Sequence, residues 1–420
     1  MKTVGIIAEY NPFHAGHAYH IQRIREEFGT DTRIVAVMSG NFPQRGGIAI
    51  ADKYTRAAAA VAGGVDLVLE LPFPFSGETA PVFARAGVAV LHALGAVDIL
   101  SFGSECGDIS LLIEATELTA TNGFHEAAHE AARHASIGYP AVYEALCRKH
   151  FKDAVASILL SPNNLLGIEY IRAAKALGAS FALHTVQRIG AAHDSVDKTD
   201  LPSAYAIRAE IKGGGIEQAL SRLPQAVSKL YRSAITEGLF PTFDETLSSV
   251  VLSYFCLNSP QNGVDIADAG GGLYSRIFRM AKKACNTETL ISLTATKKYT
   301  EARIRRAIRN VMLGVTSSDI TAEPCYIPLL SMNERGQQLL HDIRRTCALP
   351  ILTKPADYKA LPEQAYRQAA AQNRADSLYT LAFPQIRSRD YFLRHSPVRI
   401  ETNCGERIPV SSFVERIDKA

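Results

Sequence analysis

No stretch of this chain approaches the roughly 20 apolar residues that a membrane span requires. The N-terminal residues read as a strand and lack the apolar core of a signal peptide. Seven cysteines, scattered from Cys106 to Cys404, have an odd count and no paired spacing, which excludes a disulfide framework. Internal repeats and low-complexity tracts are absent too, which excludes a repeat architecture. A soluble cytoplasmic protein is the simplest expectation.

What is present is an ordinary globular composition, 47% hydrophobic and 21% charged, on a chain of 420 residues, long enough for more than one domain. The net charge of +3 is unevenly spread. Between residues 276 and 309 ten basic residues (Arg276, Arg279, Lys282, Lys283, Lys297, Lys298, Arg303, Arg305, Arg306 and Arg309) stand against Glu288 and Glu301, a local +8 that leaves −5 for the remainder. Such a block predicts a polyanionic partner for that segment.

The chain is organised around Glu9-Tyr10-Asn11-Pro12-Phe13-His14-Ala15-Gly16-His17. The apolar run Val4-Gly5-Ile6-Ile7-Ala8 before it predicts a buried strand, and Ala18 to Phe28 after it predicts a helix with Ile21, Ile24 and Phe28 on one face. Pro12 ends the strand, and Gly16 lets the backbone pass close to whatever lies above the turn. Strand, turn and helix N-terminus form an anion site, because unpaired N–H groups and the helix dipole converge there. Two imidazoles three residues apart add donors. A pair of surface histidines or a zinc site is the competing reading, but no further Cys or Glu stands at zinc-ligand spacing.

Further strands are predicted at Arg33–Met38, Val65–Glu70, Val97–Phe102 and Ser180–Val186, alternating with helices at Ala51–Ala62, Glu78–Leu94 and Leu165–Leu177. This alternation predicts an α/β fold: a Rossmann-like parallel sheet covered on both faces, with ligands at the C-terminal ends of its strands. The loops at 8–17, 39–47 and 101–106 fall on that edge. Residues from about 109 to 151 read as a helical insertion, and a flexible polar connection containing His193 and Asp194 comes before Leu201. Ser203 has the character of an N-cap, which places Arg208 early in the next helix, and glycines 213–215 close the domain near residue 215. Beyond residue 216 helices dominate, near 226–237, 244–257, 271–284, 299–313 and 362–382. A small α+β piece, with strands near 325–330 and 350–353 around a helix at 333–346, completes a second, mainly helical domain over 216–420.

His-x-Gly-His resembles the signature of the nucleotidyltransferase superfamily, which implies attack on the α-phosphate of ATP, a step that needs charge stabilisation more than acid–base chemistry. His14 and His17 meet that need from a helix N-terminus, Arg188 and Arg208 from other loops, and Gly103 and Asn164 stand where ribose or adenine is read. In the second half, Ile304, Ile308 and Val311 form a buried stripe. The arginines between them, with the neighbouring lysines, point to RNA.

Six stretches make the pattern specific: the motif at 9–17, Met38-Ser-Gly-Asn-Phe-Pro-Gln-Arg-Gly46, Asp66-Leu-Val-Leu-Glu-Leu-Pro72, Phe102-Gly-Ser-Glu105, Pro162-Asn-Asn-Leu-Leu-Gly167 and His184-Thr-Val-Gln-Arg188. His-x-Gly-His alone marks the nucleotidyltransferase superfamily. The ordered set, with Ala295-Thr-Lys-Lys-Tyr-Thr-Glu-Ala-Arg303, resembles the bacterial tRNA(Met) cytidine acetate ligase family over most of the chain. That resemblance implies a ligase that condenses acetate with ATP to acetyl-adenylate. It then acetylates the exocyclic amine of the wobble cytidine of elongator tRNA(Met), giving N4-acetylcytidine. It also implies that ATP is held by Ile7, Ala8, Glu9, Tyr10, Asn11, Pro12, Phe13, His14, Ala15, Gly16, His17, Ala18, Tyr19 and His20, with Gly103, Asn164 (or its neighbour Asn163) and Arg188. His14 and His17 carry the catalysis. The superfamily's Ser-Ser-Thr-x-Ile-Arg element survives as Ser203-Ala-Tyr-Ala-Ile-Arg208, which retains Ser203 and Arg208. The expected tRNA contacts are Arg276, Arg279, Lys282, Lys283, Lys297, Lys298, Arg303 and Arg306. Mg²⁺ is expected with the triphosphate, without a protein ligand set visible in the sequence.

Two other functions fit part of the pattern: an adenylyltransferase for a small phosphorylated metabolite, and a non-catalytic RNA-binding protein with a vestigial nucleotide site. The long basic second half argues against the first, and the intact His14, Gly16 and His17 against the second. An aminoacyl-tRNA synthetase lacks support because no Lys-Met-Ser-Lys-Ser-like loop follows the sheet.

Overall fold

The computed structural model describes residues 1–120, 123–135, 137–188, 202–261, 263–403 and 406–407. The polar connection with His193 and Asp194 lies outside the described residues. The first half runs β1 (Thr3–Ala8), α1 (Ala15–Phe28), β2 (Arg33–Ser39), α2 (Lys53–Ala62), β3 (Leu67–Leu71), α3 (Ala80–Ala93) and β4 (Ile99–Ser104). The helical insertion follows as α4 (Ile109–Ala120), α5 (Phe124–His134), α6 (Tyr139–His150) and α7 (Asp153–Leu160). Then come α8 (Pro162–Leu177), β5 (Ala182–Gln187) and α9 (Ala204–Lys212).

Strands β1 to β5 are parallel and ordered β5-β4-β1-β2-β3. Their apolar runs explain this, since a parallel strand covered on both faces needs no polar side. Along β2, Ile34, Ala36 and Met38 enter one core with α1 and α2, while Val35 and Val37 enter the other with α3 and α8. Strand order reverses between β1 and β4, and the crevice beyond that point is where an open α/β sheet takes its ligand.

The second half contains α10 (Ile216–Ser221), α11 (Gln225–Thr236), α12 (Ser248–Leu257), α13 (Leu273–Ala281), α14 (Thr287–Thr294), α15 (Glu301–Leu313) and α16 (Ser317–Thr321). It continues with β6 (Ile327–Met332), α17 (Glu334–Ile343), β7 (Ile351–Leu352), α18 (Glu363–Tyr379), α19 (Tyr391–Arg394), β8 (Val398–Arg399), β9 (Thr402–Asn403) and β10 (Glu406–Arg407). Helices α12 to α15 share a core of their own, built from Val251, Phe255, Leu273, Ile277, Leu290, Ile304, Ile308 and Val311.

The boundary expected near residue 215 does not coincide with the edge of the sheet. Strand β6 pairs antiparallel with β3, and β7 and β8 pair with β6. The α+β piece expected as part of a second domain therefore extends the first sheet. A buried ion cluster reinforces the join: Lys53 Nζ on α2 lies 2.9 Å from Glu70 Oε2 on β3 and 2.7 Å from Asp376 Oδ2 on α18. A strand's apolar pattern identifies a strand but not the neighbour it pairs with.

Candidate active site

Helix α1 begins three residues earlier than its apolar periodicity suggests, and the reason is His14. This residue takes the N-cap position, and its Nδ1 accepts the Gly16 N–H at 3.0 Å. In return the His14 N–H donates to His17 Nδ1 at 3.1 Å. Two imidazoles thus form a reciprocal cap of the kind usually built from Ser or Thr with Glu. With each Nδ1 accepting, the neutral rings carry their protons on Nε2. The rings stack at 3.8 Å and line a cavity of about 270 Å³ above the sheet edge.

Gly16 is required by the cap itself. A Cβ there would stand 2.9 Å from His14 Cε1 and drive the ring away from the backbone it caps. Tyr10, just upstream, sits at φ 45°, a left-handed conformation uncommon for a bulky residue. Its buried ring is held against Phe13 and the edge of His17, at centroid distances of 5.1 and 4.8 Å. Arg56, fully buried on α2, donates to the carbonyls of Glu9 at 2.6 Å, Ser39 at 3.1 Å and Ala51 at 2.9 Å. One guanidinium thereby ties together the loops that leave β1 and β2.

The other walls come from β4, α8, β5 and α9. Gly103, the penultimate residue of β4, lies beneath the Arg188 side chain, its Cβ position 3.3 Å from Arg188 Cγ. Ser203 caps α9, accepting the Ala206 N–H at 3.1 Å. Arg208, one turn on, reaches back to the Asn11 carbonyl at 2.6 Å. Burial lowers the pKa of Arg208; Glu9 works against that shift and Arg45 adds to it. Two guanidiniums that disfavour one another across a cavity are relieved by an anion between them.

Of the expected nucleotide residues, Ile7, Ala8, Glu9, Tyr10, Asn11, His14, Gly16, His17, Tyr19, His20, Gly103, Arg188, Ser203 and Arg208 line this cavity together. Pro12, Phe13, Ala15 and Ala18 do not, since Phe13 and Ala18 pack into the core behind the motif. Asn164 also stands outside the lining. Its Oδ1 accepts the N–H groups of Glu105 at 2.8 Å and Cys106 at 3.1 Å, so it orders the loop after β4, and Asn163 lines the cavity in its place. Glu105 closes this arrangement by accepting the Asn163 and Asn164 N–H groups at the start of α8. Gln44, Arg45 and Tyr205 also line the cavity and were not singled out. Gln44 and Arg45 lie in the 39–47 loop already placed at the ligand edge, so position was their only signal.

The expected tRNA residues lie apart from the cavity lining and divide in two. Arg276 donates to the carbonyls of Thr294 at 2.8 Å and Leu293 at 3.1 Å, closing the end of α14. Arg303 donates to the carbonyls of Asp268 and Gly270, each at 3.0 Å, and Arg306 pairs with the Asp268 carboxylate at 2.5 Å. Arg303 and Arg306 thus hold the loop before α13, and Arg276 the end of α14, roles that their sequence positions did not disclose. Arg279, Lys282, Lys283 and Lys297 are exposed and Lys298 is half-buried. The loop carrying the last two is anchored on the insertion, where the Gly138 N–H donates to the Lys297 carbonyl at 2.8 Å.

Comparison with known proteins bears directly on this geometry. The model of the HIGH Nucleotidyl Transferase family matches residues 1–392. The tRNA(Met) cytidine acetate ligase of Thermoanaerobacter sp. (strain X514) is 34% identical over 389 residues, which is 91% of this chain and 96% of the relative. The enzyme of that name from Fervidobacterium nodosum is 33% identical over 378 residues, 88% of either chain. Among solved structures, Thermotoga maritima TmcAL bound with alpha-thio ATP superimposes with a TM-score of 0.87 at 30% identity, covering 96% of this chain and all of the other. The apo form of that protein superimposes with a TM-score of 0.89. The chain therefore belongs to the HIGH nucleotidyl transferase family and, within it, to the tRNA(Met) cytidine acetate ligases.

Proposed function

We propose that the protein activates acetate with ATP and transfers the acetyl group to the exocyclic amine of the wobble cytidine of elongator tRNA(Met), giving N4-acetylcytidine. The observation that carries this reading is the reciprocal His14–His17 cap, which sets two stacked imidazoles at the N-terminus of α1, in the crevice where strand order reverses. The acetate carboxylate attacks the α-phosphate, the bond to the β-phosphate breaks, and pyrophosphate leaves. His14 and His17 stabilise charge on the phosphate oxygens as it develops. Arg188 and Arg208 receive the triphosphate from the opposite wall. The cytidine amine then attacks the acetyl carbon, AMP departs, and the amine loses a proton. The ATP analogue in the Thermotoga maritima neighbour and the names of the relatives support this choice of substrates.

Among the described residues no group of three or more His, Cys, Asp or Glu is placed to hold a metal ion. Mg²⁺ is proposed to arrive with the triphosphate, whose charge it neutralises. No helix among the described residues is long and apolar enough to cross a membrane. We place the enzyme in the cytoplasm because ATP and tRNA are there.

Mass spectrometry of nucleosides from tRNA incubated with protein, ATP and labelled acetate tests the reading. Label in N4-acetylcytidine is expected, and unlabelled cytidine with normal ATP consumption would refute it. ATP–pyrophosphate exchange that depends on acetate but not on tRNA separates this ligase from an adenylyltransferase of small phosphorylated metabolites.

A further inference from the structure

Helix α1 brings a third histidine to the cavity, and this one is wired differently from the two at its N-terminus. His20 Nε2 lies 2.8 Å from Ser101 Oγ on β4. The same hydroxyl lies 2.9 Å from His184 Nδ1 on β5, and His184 Nε2 lies 3.0 Å from Glu27 Oε2 in the last turn of α1. Ser101 is fully buried and the His184 side chain is 13% exposed, whereas Glu27 is half in solvent. Four side chains therefore form a single file from the cavity to the surface.

The direction of the file is set from its outer end. A carboxylate only accepts, so His184 donates its Nε2–H to Glu27. When that proton is the one His184 carries, its Nδ1 is a lone pair, and the Ser101 hydroxyl donates to it. That hydroxyl has one proton, so towards His20 its oxygen accepts, and His20 must hold its proton on Nε2. Its Nδ1 is left as an acceptor. Burial, with His184 and Arg188 nearby, pushes the His20 pKa down to about 3, so the ring is neutral at physiological pH.

We propose that the Glu27–His184–Ser101 file holds His20 in the tautomer that accepts a hydrogen bond from a ribose hydroxyl of the nucleotide. This rests on the nucleotide reading above and goes beyond it in assigning polarity within the cavity. His14 and His17 offer N–H donors, which suit phosphate oxygens. His20, three residues beyond His17 and thus about 4.5 Å further along the helix, offers a lone pair that phosphate oxygens avoid. The unit of a nucleotide next to the α-phosphate is the ribose, whose hydroxyls are donors. Ser101, His184 and Glu27 act through His20 and are positioning residues.

Nitrogen-15 NMR of the full chain, labelled at histidine and free of ligand, reads the tautomer directly. His20 is expected as the Nε2–H form in the wild type and as a mixture in Ser101→Ala. A wild-type His20 that is protonated at neutral pH, or carries its proton on Nδ1, overturns the proposal. Binding of ATP, 2′-deoxy-ATP and 3′-deoxy-ATP then identifies the hydroxyl. One deoxy analogue is expected to bind the wild type about tenfold more weakly, the effect of about one hydrogen bond. The preference should shrink in Ser101→Ala and in Glu27→Ala, the second being a surface change outside the core. Equal affinity for all three nucleotides, or a preference that survives both substitutions, overturns the role. A wild type that binds no ATP would overturn the nucleotide reading and this role with it, and the tautomer measurement tells the two failures apart.

Discussion

The sheet edge gathers a few donor side chains and the helical body has many basic ones, and the two regions use them in opposite ways. At the sheet edge, His14, His17, Arg188 and Arg208 come from three separate stretches and are assembled by topology around one cavity. In the helical body, ten basic residues are close in sequence, but folding disperses them. Arg309 is buried, donating to the Gly77 carbonyl at 2.6 Å and pairing with Glu78, while Arg305 is 3.1 Å from Glu288. With Arg276, Arg303 and Arg306 also engaged internally, only the lysines and Arg279 present charge without a described side-chain partner. Charge density along a chain is therefore a poor measure of charge density on a surface.

The sharpest test of that contrast is Arg309→Ala. A buried carboxylate that loses its cation is typically destabilising by about 3–5 kcal/mol. Glu78 would retain only the Asn310 amide at 3.0 Å. A fall in that range is expected from chemical denaturation, with tRNA affinity of the remaining folded protein unchanged. Normal stability with weakened tRNA binding would return Arg309 to the RNA surface.

At the sheet edge the expectation is reversed, with activity lost and stability lowered only by the lost helix cap, about 1 kcal/mol. Replacing His14 or His17 by Ala should reduce acetate-dependent pyrophosphate release by about 10²–10³, the usual effect of losing one donor to developing charge. Arg188→Ala and Arg208→Ala should impair the same half-reaction and leave tRNA affinity intact. Near-normal pyrophosphate release by a histidine variant would remove the motif from the chemistry.

A third change probes the contact between the two regions. The loop at 42–47 has Gln44 and Arg45 on the cavity, while Gly46, at φ 84°, abuts α15, where a Cβ would stand 2.6 Å from the Arg306 backbone nitrogen. Gly46→Ala should cost about 1–3 kcal/mol of stability through the positive φ and the clash. It should also raise the KM for ATP by moving Arg45. An unaltered KM would mean that the loop does not transmit displacement from α15 to the cavity.

Much of the nucleotide half was legible before any coordinates, because strands buried on both faces and a histidine pair at a strand–helix turn leave strong local signals. What escaped were features made by contacts distant in sequence. Nothing local in Ile327–Met332 says that it pairs with Leu67–Leu71. The cap role of His14 was hidden because N-cap expectations favour Ser, Thr, Asp and Asn. Asn163 and Asn164 are chemically identical and both bond Glu105, and only the helix that starts at Pro162 decides which of them also lines the cavity. Arg303 and Arg306 read as surface charges until Asp268 is seen beside them.

The smallest expected effect concerns the lysines that remain. Lys282 and Lys283 follow α13, Lys297 and Lys298 precede α15, and none of the four has a described side-chain ion pair. Exposed lysines are often no more than a solvated face. Lys297 and Lys298 lie on a loop that the helical insertion also grips, through the Gly138 N–H to the Lys297 carbonyl, so a polyanion bound there would touch both bodies. Replacing all four by Ala should leave acetate activation and fold intact, since none lines the cavity or fills a core. tRNA affinity should fall, and its dependence on salt should flatten by roughly 0.7–0.9 in log–log slope for each phosphate that is no longer neutralised. Arg303→Ala with Arg306→Ala should instead loosen the Asp268 loop and lower stability first. If the lysine variant kept the wild-type salt slope while the arginine variant changed it without losing stability, the assignment of the two groups would have to be exchanged.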